Sequence, residues 1–193
     1  MLGSARKTKG FTLIELLIVI AIILILIAIA LPNFLEAQLR ARITRVQGEF
    51  RTLATAIEAY KSEYGKYPPA SDLTDPARRR RVQVVQRYVL LTTPIPFMKV
   101  IPTDPFFDQD IPLEAISTMW GAKVYDYFER EFSALSTAPW GPDPQAQHAI
   151  WFIHSIGPDL VLSDIRGAEF YYILPYSPTN GSKSSGDLVR FGP

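Results

Sequence analysis

Gly10-Phe11-Thr12-Leu13-Ile14-Glu15 stands between a short basic leader and sixteen consecutive apolar residues, 16–31. The junction places one carboxylate, Glu15, inside a segment otherwise suited to dissolve in a bilayer. A charged side chain at membrane depth is expensive and is kept where it finds a partner. Residues 11–31 together are about 21 residues long, which as a helix covers roughly the 30 Å of a hydrocarbon core. Arg6, Lys7 and Lys9 precede the run without any acidic residue. The positive-inside rule therefore keeps this end in the cytoplasm and exports the remainder.

Three readings compete for this segment. Ala28-Ile29-Ala30 fits a signal-peptide cleavage site after an apolar stretch, but Glu15 early in the run and Pro32 just past the site count against it. A plain uncleaved anchor would tolerate Glu15 by snorkelling toward the interface. The third reading accounts for Gly10, Phe11 and Glu15 together, because residues 10–15 resemble the processing signature of type IV pilins and type II secretion pseudopilins. The resemblance implies that a prepilin peptidase cuts between Gly10 and Phe11 and methylates the new amino terminus of Phe11. It further implies that Glu15 faces the amino terminus of a neighbouring subunit. The absence of a side chain at Gly10 suits close approach of the scissile backbone to a catalytic site. A carboxylate and an ammonium desolvated together offset a cost that neither meets alone.

Beyond Leu31 the pattern changes. Pro32 removes a backbone donor and crowds the preceding turn, so a kink or a locally melted stretch is expected there. Leu39, Ile43, Val46, Phe50, Leu53, Ile57, Tyr60 and Tyr64 then recur at spacings of three and four, one stripe of an amphipathic helix. The second part of the stripe, 50–64, is expected to pack on its own globular domain. Phe11 to Tyr64 as one helix would run roughly 80 Å at 1.5 Å per residue, too long for one head to cover. Residues 34–46 are accordingly expected to pack against other copies. Gly65 ends the helix, and Pro68-Pro69 prevent its resumption. The turn Gly65-Lys66-Tyr67-Pro68 resembles the end of the spine helix in major pseudopilins.

Asp75 as N-cap and Pro76 at the first turn predict a second helix over 76–91. It opens with Arg78-Arg79-Arg80-Arg81, read either as a solvated or subunit-contacting face or as a contact for anionic lipid or a polyanion. Ile101-Pro102-Thr103-Asp104-Pro105-Phe106 resembles the proline-rich loop that enters the sheet in major pseudopilins, with its Trp-Gly pair displaced to Trp120-Gly121. Strands are expected at 123–130, 148–155 and 169–175, rich in aromatic and β-branched residues. The tail 178–186 is turn-forming and expected to be mobile. The fold class is α+β: a long N-terminal spine helix packed on a small antiparallel sheet head.

Charge and composition narrow the function. Twenty basic and nineteen acidic residues nearly cancel, so nothing suggests a nucleic-acid partner. Cysteine is absent, which removes disulfides and thiolate chemistry; an exported domain must then be held by its core, a metal or assembly. Ser155-Ile156-Gly157-Pro158-Asp159 with Asp164 resembles the calcium-binding loop of major pseudopilins, while a plain Asp/Gly-rich turn reads equally simply. The two histidines, His148 and His154, six apart on one expected strand, would lie about 20 Å apart and cannot share a metal. No nucleophile elbow, phosphate loop or HExxH motif occurs, and the chain is not expected to be an enzyme.

The resemblance implies a leader over 1–10, a transmembrane part of the spine helix over 11–32, an amphipathic part over 33–65 and a periplasmic head over 66–193. It implies a structural subunit of a periplasmic pseudopilus that drives type II secretion, single-pass in the inner membrane. The implied partners are other copies in a helical homopolymer, the prepilin peptidase, an inner-membrane secretion or pilus assembly platform, minor pseudopilins and membrane lipid. A type IV pilus subunit, or a membrane-anchored periplasmic binding module that does not polymerise, are the alternatives. Calcium is the one cofactor implied.

Overall fold

A computed structural model describes residues 10–70, 87–107, 123–129, 148–160, 175–177, 179, 184 and 186–193. The arginine run 78–81, Trp120-Gly121, Asp164 and most of the strand expected at 169–175 lie outside the described residues. In chain order the elements are helix α1 (Leu13–Tyr64), a short helix α2 (Val89–Thr92), and strands β1 (Asp126–Glu129), β2 (Trp151–Ser155) and β3 (Leu188–Phe191). The architecture is α+β, as the sequence predicts. The chain divides into two compact units, Met1–Gln38 and Leu39–Pro193.

In the first unit, α1 is apolar on every side, long enough to cross a membrane, and buries none of that span within the chain. Its large side chains from Leu13 to Leu35 are exposed. A helix of this kind in water would be unstable, since each large apolar side chain left exposed forgoes about 1.5–3 kcal/mol of burial. The helix runs through Pro32 without a break, so no melted stretch is present at that point. Beside the proline, the Asn33 side-chain amide donates to the Ile29 carbonyl at 3.3 Å.

In the second unit, the amphipathic stripe is the floor of the core. Ile43, Val46, Phe50, Leu53, Ile57 and Tyr60 are all buried, with Ala54 and Ala56 beside them. They share one cluster with Tyr88, Leu91, Phe106, Tyr125, Tyr127, Trp151, Ile153 and Leu188. Ile43 and Val46 thus belong to the head's own core rather than to a surface left for other copies. The boundary between covered and uncovered helix falls near Leu39, earlier than the sequence suggests. Further along the stripe Phe50 packs edge-to-face on Tyr125 with centroids 5.0 Å apart.

The sheet has the order β1-β2-β3 and is antiparallel throughout. Period-two alternation sends Tyr127, Trp151, Ile153 and Leu188 toward α1, and Asp126, Phe128, Phe152 and His154 to the opposite face. On that second face Phe128 stacks on Phe152 at 5.0 Å, and Phe191 follows at 6.3 Å from Phe152. Polar tips then fasten sheet to helix. Trp151 Nε1 donates to Glu58 at 2.9 Å, the Tyr125 hydroxyl donates to Glu49, and the Tyr127 hydroxyl donates to the Pro68 carbonyl at 3.0 Å. Gly65, at φ 72°, ends α1 in the left-handed conformation, its N–H on the Lys61 carbonyl at 2.8 Å. The 101–106 loop enters the sheet as expected: Thr103 bridges Val124, and the Asp104 N–H donates to the Lys123 carbonyl at 2.9 Å.

The C-terminal segment adds to what the sequence predicts. The described third strand is β3, drawn from the C-terminus; of the segment 169–175, only Pro175 is described, in an isolated bridge to Asp187. The tail before β3 is not loose where it is described, since Ser184 and Gly186 are buried and the Ser184 hydroxyl accepts the Ser177 N–H at 2.9 Å. Behind β3, Gly192 donates its N–H to the Trp151 carbonyl at 2.9 Å and lies against the indole. A Cβ built on Gly192 would fall 1.9 Å from Trp151 Cε2.

Two stability outcomes follow from this packing. Leu53→Ala should lower the unfolding free energy by about 2–5 kcal/mol, whereas Thr55→Ala on the exposed side should change it by less than about 0.5 kcal/mol. Urea melts followed by tryptophan fluorescence would measure both. Gly192→Ala should cost about 1–3 kcal/mol by overpacking and shift the Trp151 emission; an unchanged midpoint would show that the indole has room to move.

Candidate functional site

The helix start is built by its own side chains. Thr12 immediately precedes the first residue of α1, and Glu15 is the third residue in. The Thr12 N–H donates to Glu15 Oε2 at 2.9 Å, and the Thr12 hydroxyl donates to the same oxygen at 2.8 Å. In return the Glu15 N–H donates to Thr12 Oγ1 at 3.3 Å. This is a reciprocal capping box, and it satisfies two of the backbone donors that a helix start leaves open. The anionic carboxylate also sits where the helix dipole is positive. The sequence carried the signal: Thr12-Leu13-Ile14-Glu15 is the T-x-x-E spacing before an apolar run, although Glu15 was read above only for its charge.

Gly10 and Phe11 lie just outside the helix, both exposed. A Cβ on Gly10 would meet nothing within 4 Å. Packing among the described residues therefore gives no reason for glycine there. The exposed glycine, the aromatic ring and the carboxylate are gathered within six residues at the start of the uncovered apolar part of α1.

The head contains a second polar constellation, which sequence reading missed. Arg87, Asp104, Asp126, His154 and Asp187 are all buried. Arg87 Nη1 lies 2.5 Å from Asp126 Oδ1 and donates to the Tyr127 carbonyl at 2.6 Å. His154 Nε2 is 3.4 Å from Asp126 Oδ2, and its Nδ1 is 3.8 Å from Asp187 Oδ2. The Arg87 guanidinium lies over the Phe128 ring, 4.7 Å from its centroid. Burial alone would lower the His154 pKa, but hydrogen bonding to Asp126 and the attraction of Asp126 and Asp187 outweigh it and raise the value from 6.5 to about 9. Burial likewise pushes Asp104 up to about 6, against hydrogen bonds from Ser155 and the Phe106 N–H and the pull of His154. His148 is exposed and precedes β2, so the two histidines are not on one strand as expected.

The expected calcium ligands are only partly placed. Asp159 is half-buried in the turn after β2, and Asp164 lies outside the described residues. No group of three or more His, Cys, Asp or Glu able to hold a metal occurs among the described residues. The buried head cluster does not suit catalysis either, because its histidine and all its carboxylates are closed off from solvent.

Comparison with known proteins bears on the helix end. Residues 5–31 match the family described as the prokaryotic N-terminal methylation motif. The chain is 46% identical over 61 residues to the type IV major pilin protein PilA of Myxococcus xanthus, covering 32% of this chain and 28% of that one. It is 53% identical over 64 residues to the type IV major alpha-pilin of Moraxella bovis, covering 33% and 40%. It is 35% identical over 63 residues to the type II secretion system core protein G of Pseudomonas aeruginosa, covering 33% and 44%. The chain thus spans less than half the length of each of these relatives. No solved structure matches it significantly. The methylation motif over residues 5–31 and the similarity over about a third of the chain make its N-terminal helix pilin-like and of the prepilin type.

Proposed function

We propose that the chain is a filament subunit whose apolar N-terminal helix anchors it in the inner membrane and then polymerises, and that the filament is the periplasmic pseudopilus of a type II secretion system. The observation that carries this reading is the carboxylate of Glu15 at the start of α1, whose first, membrane-length apolar span is not buried within the chain. Such a surface needs lipid first and protein later. Two environments in succession are what a membrane-stored filament subunit offers.

In this reading residues 1–10 are a leader removed between Gly10 and Phe11 by the prepilin peptidase, and Phe11 is N-methylated. Cleavage creates an ammonium at Phe11. Thr12 holds its own Glu15 through Oε2, and the carboxylate is proposed to meet the Phe11 ammonium of a neighbouring copy. Attraction between the two grows as lipid and protein displace water, because the local dielectric falls. Pro32, which cannot donate to the preceding turn, is the proposed point of bending when copies pack. The assembly platform and minor pseudopilins are the further partners this reading requires.

A type IV pilus subunit is the second reading, and the higher identity to the two pilins than to the secretion protein favours it. Deleting the gene distinguishes the two: loss of exported proteins with surface pili intact supports the pseudopilus, and the reverse supports the pilus.

Two outcomes test the filament itself. Glu15→Leu should leave membrane insertion intact and abolish or strongly reduce filaments seen by electron microscopy; filaments at wild-type abundance would overturn the role of Glu15. Intact mass of the protein purified from cells should equal residues 11–193 plus one methyl group. Gly10→Val should instead retain the leader, because a branched side chain obstructs access to the scissile backbone.

A further inference from the structure

We propose that Arg40, Arg42 and Arg45 form a collar around α1 that binds the phosphate groups of anionic lipid in the leaflet on the C-terminal side of the span, and so fixes how deep the helix sits. The proposal rests on the reading of the first part of α1 as a membrane anchor and needs no filament.

The uncovered apolar surface of α1 does not stop at Leu31. Phe34 and Leu35 are 58% and 56% exposed, like the residues of the span before them. A membrane span ending at Leu31 would leave both in water. Leu16 through Leu35, as helix, covers about 30 Å, the thickness of a hydrocarbon core. Within that stretch Asn33 is the one polar side chain, and its amide donates to the Ile29 carbonyl at 3.3 Å. This deeper register also places Glu15 at the opposite boundary, where a carboxylate costs less than at the bilayer centre. Phe34 and Leu35 favour the deeper register and Asn33 opposes it, so apolar matching alone holds the depth only weakly.

Charge decides the depth. The first ionisable side chains after Leu35 are Glu36, Arg40, Arg42 and Arg45, one anion against three cations. In the deeper register Arg40 lies about 8 Å beyond the hydrocarbon and Arg42 about 10 Å, at the outer edge of the headgroup layer. Arg45, about 15 Å out, is about one Debye length from that layer. Side chains on a helix lean toward its N-terminus, which here means back toward the bilayer. All three arginines are exposed. Arg45 is bonded to Glu49 Oε1 at 2.8 Å, yet its side chain stays 55% exposed. The Arg42 side chain has no hydrogen bond or ion pair among the described residues. A guanidinium presents a planar fork of donors that matches phosphate.

The arrangement around the helix favours lipid over a second copy. At about 100° per residue, Arg40 and Arg42 lie about 200° apart, while Arg42 and Arg45 share one side. Ile43 and Val46, buried in the head's own core, take the side between Arg40 and Arg42. A neighbouring helix would touch α1 on one side, whereas headgroups surround it. Cations on opposite sides at nearly one level suit a surrounding surface.

The chain has no cysteine, so single introduced cysteines can carry nitroxide labels. The test uses the full chain with Ala37→Cys or Ile23→Cys, in vesicles of phosphatidylcholine with or without phosphatidylglycerol. EPR power saturation with oxygen and a nickel chelate reads the depth of each label. The Ala37 label should lie about 6 Å nearer the bilayer centre in the anionic vesicles, the offset between Leu31 and Leu35 along the helix. Salt at about 1 M should remove the shift. Arg40→Gln/Arg42→Gln/Arg45→Gln should lose it, and Arg42→Lys should keep it. If the triple variant fails to fold, Arg40→Gln/Arg42→Gln, which spares the Arg45 pair with Glu49, decides the matter by losing most of the shift. Equal depth in the two lipids, or a neutralised variant that keeps the shift, would overturn the collar. A shift that follows the protein-to-lipid ratio in both lipids would assign the arginines to a second copy and overturn it too. An Ile23 label open to the nickel chelate in both vesicles would overturn the anchor reading and the collar together, whereas a shielded Ile23 label beside an unmoved Ala37 label sinks the collar alone.

Discussion

The head is built against the stripe Ile43, Val46, Phe50, Leu53, Ile57 and Tyr60, and the placement of every other element follows from the need to cover it. A small sheet of three short strands has little stability alone. Here its helix-facing residues Tyr127, Trp151, Ile153 and Leu188 bury against that stripe. The same aromatic residues carry polar tips that must be satisfied when their rings are buried. Glu49 and Glu58 meet that need from the flank of the stripe, taking the Tyr125 hydroxyl and the Trp151 indole. The stripe thus supplies hydrophobic contact along its centre and hydrogen-bond acceptors along its edge. Burial together with the bond to Glu49 raises the pKa of Tyr125, so its hydroxyl stays a donor at any physiological pH.

A head without cysteine has to close its second face by other means. The face of the sheet away from α1 is closed partly by stacked rings and partly by the cluster of Arg87, Asp126, His154 and Asp187. Buried ion pairs add little net stability compared with apolar packing of the same volume, but removing one member costs much more than the pair contributes. Such a cluster is therefore better suited to specifying which strands meet than to adding stability. A four-residue strand such as β3 has few side chains with which to define its register, and Asp187 next to His154 supplies an additional constraint.

What could be read from the sequence, and what could not, follows from the range of the interactions. The stripe was visible because helical spacing is a local signal, and Gly65 because a helix stop needs only its own backbone. β1 and β2 were visible as short aromatic and β-branched runs. The strand β3 was not: Leu188-Val189-Arg190-Phe191 is four residues long, follows a Gly/Ser-rich tail, and its alternation is too short to separate from loop. The ion cluster was invisible for a different reason. Arg87 and Asp126 are 39 residues apart and meet only after the sheet has formed. Glu49 and Glu58 flank the stripe, and helical spacing alone does not show that Tyr125 and Trp151, distant in sequence, reach them.

The capping box at Thr12 bears on the economy of the proposed assembly. A carboxylate entering a bilayer without a partner would oppose insertion of the very helix that carries it. Held by the Thr12 N–H and hydroxyl, the charge of Glu15 is partly satisfied within a single subunit. A subunit can then wait in the membrane without its neighbour. Both bonds fall on Oε2, so the local cap does not use the carboxylate symmetrically. A cationic amino terminus on a neighbour would be a stronger partner than the neutral Thr12 donors, because it adds full charge–charge attraction in a medium of low dielectric. In the proposed assembly this difference would give a direction: the cap tolerates the charge, and the neighbour's terminus would be the stronger partner. Leader cleavage before Phe11 would create that terminus, which is why, in this reading, processing has to precede polymerisation.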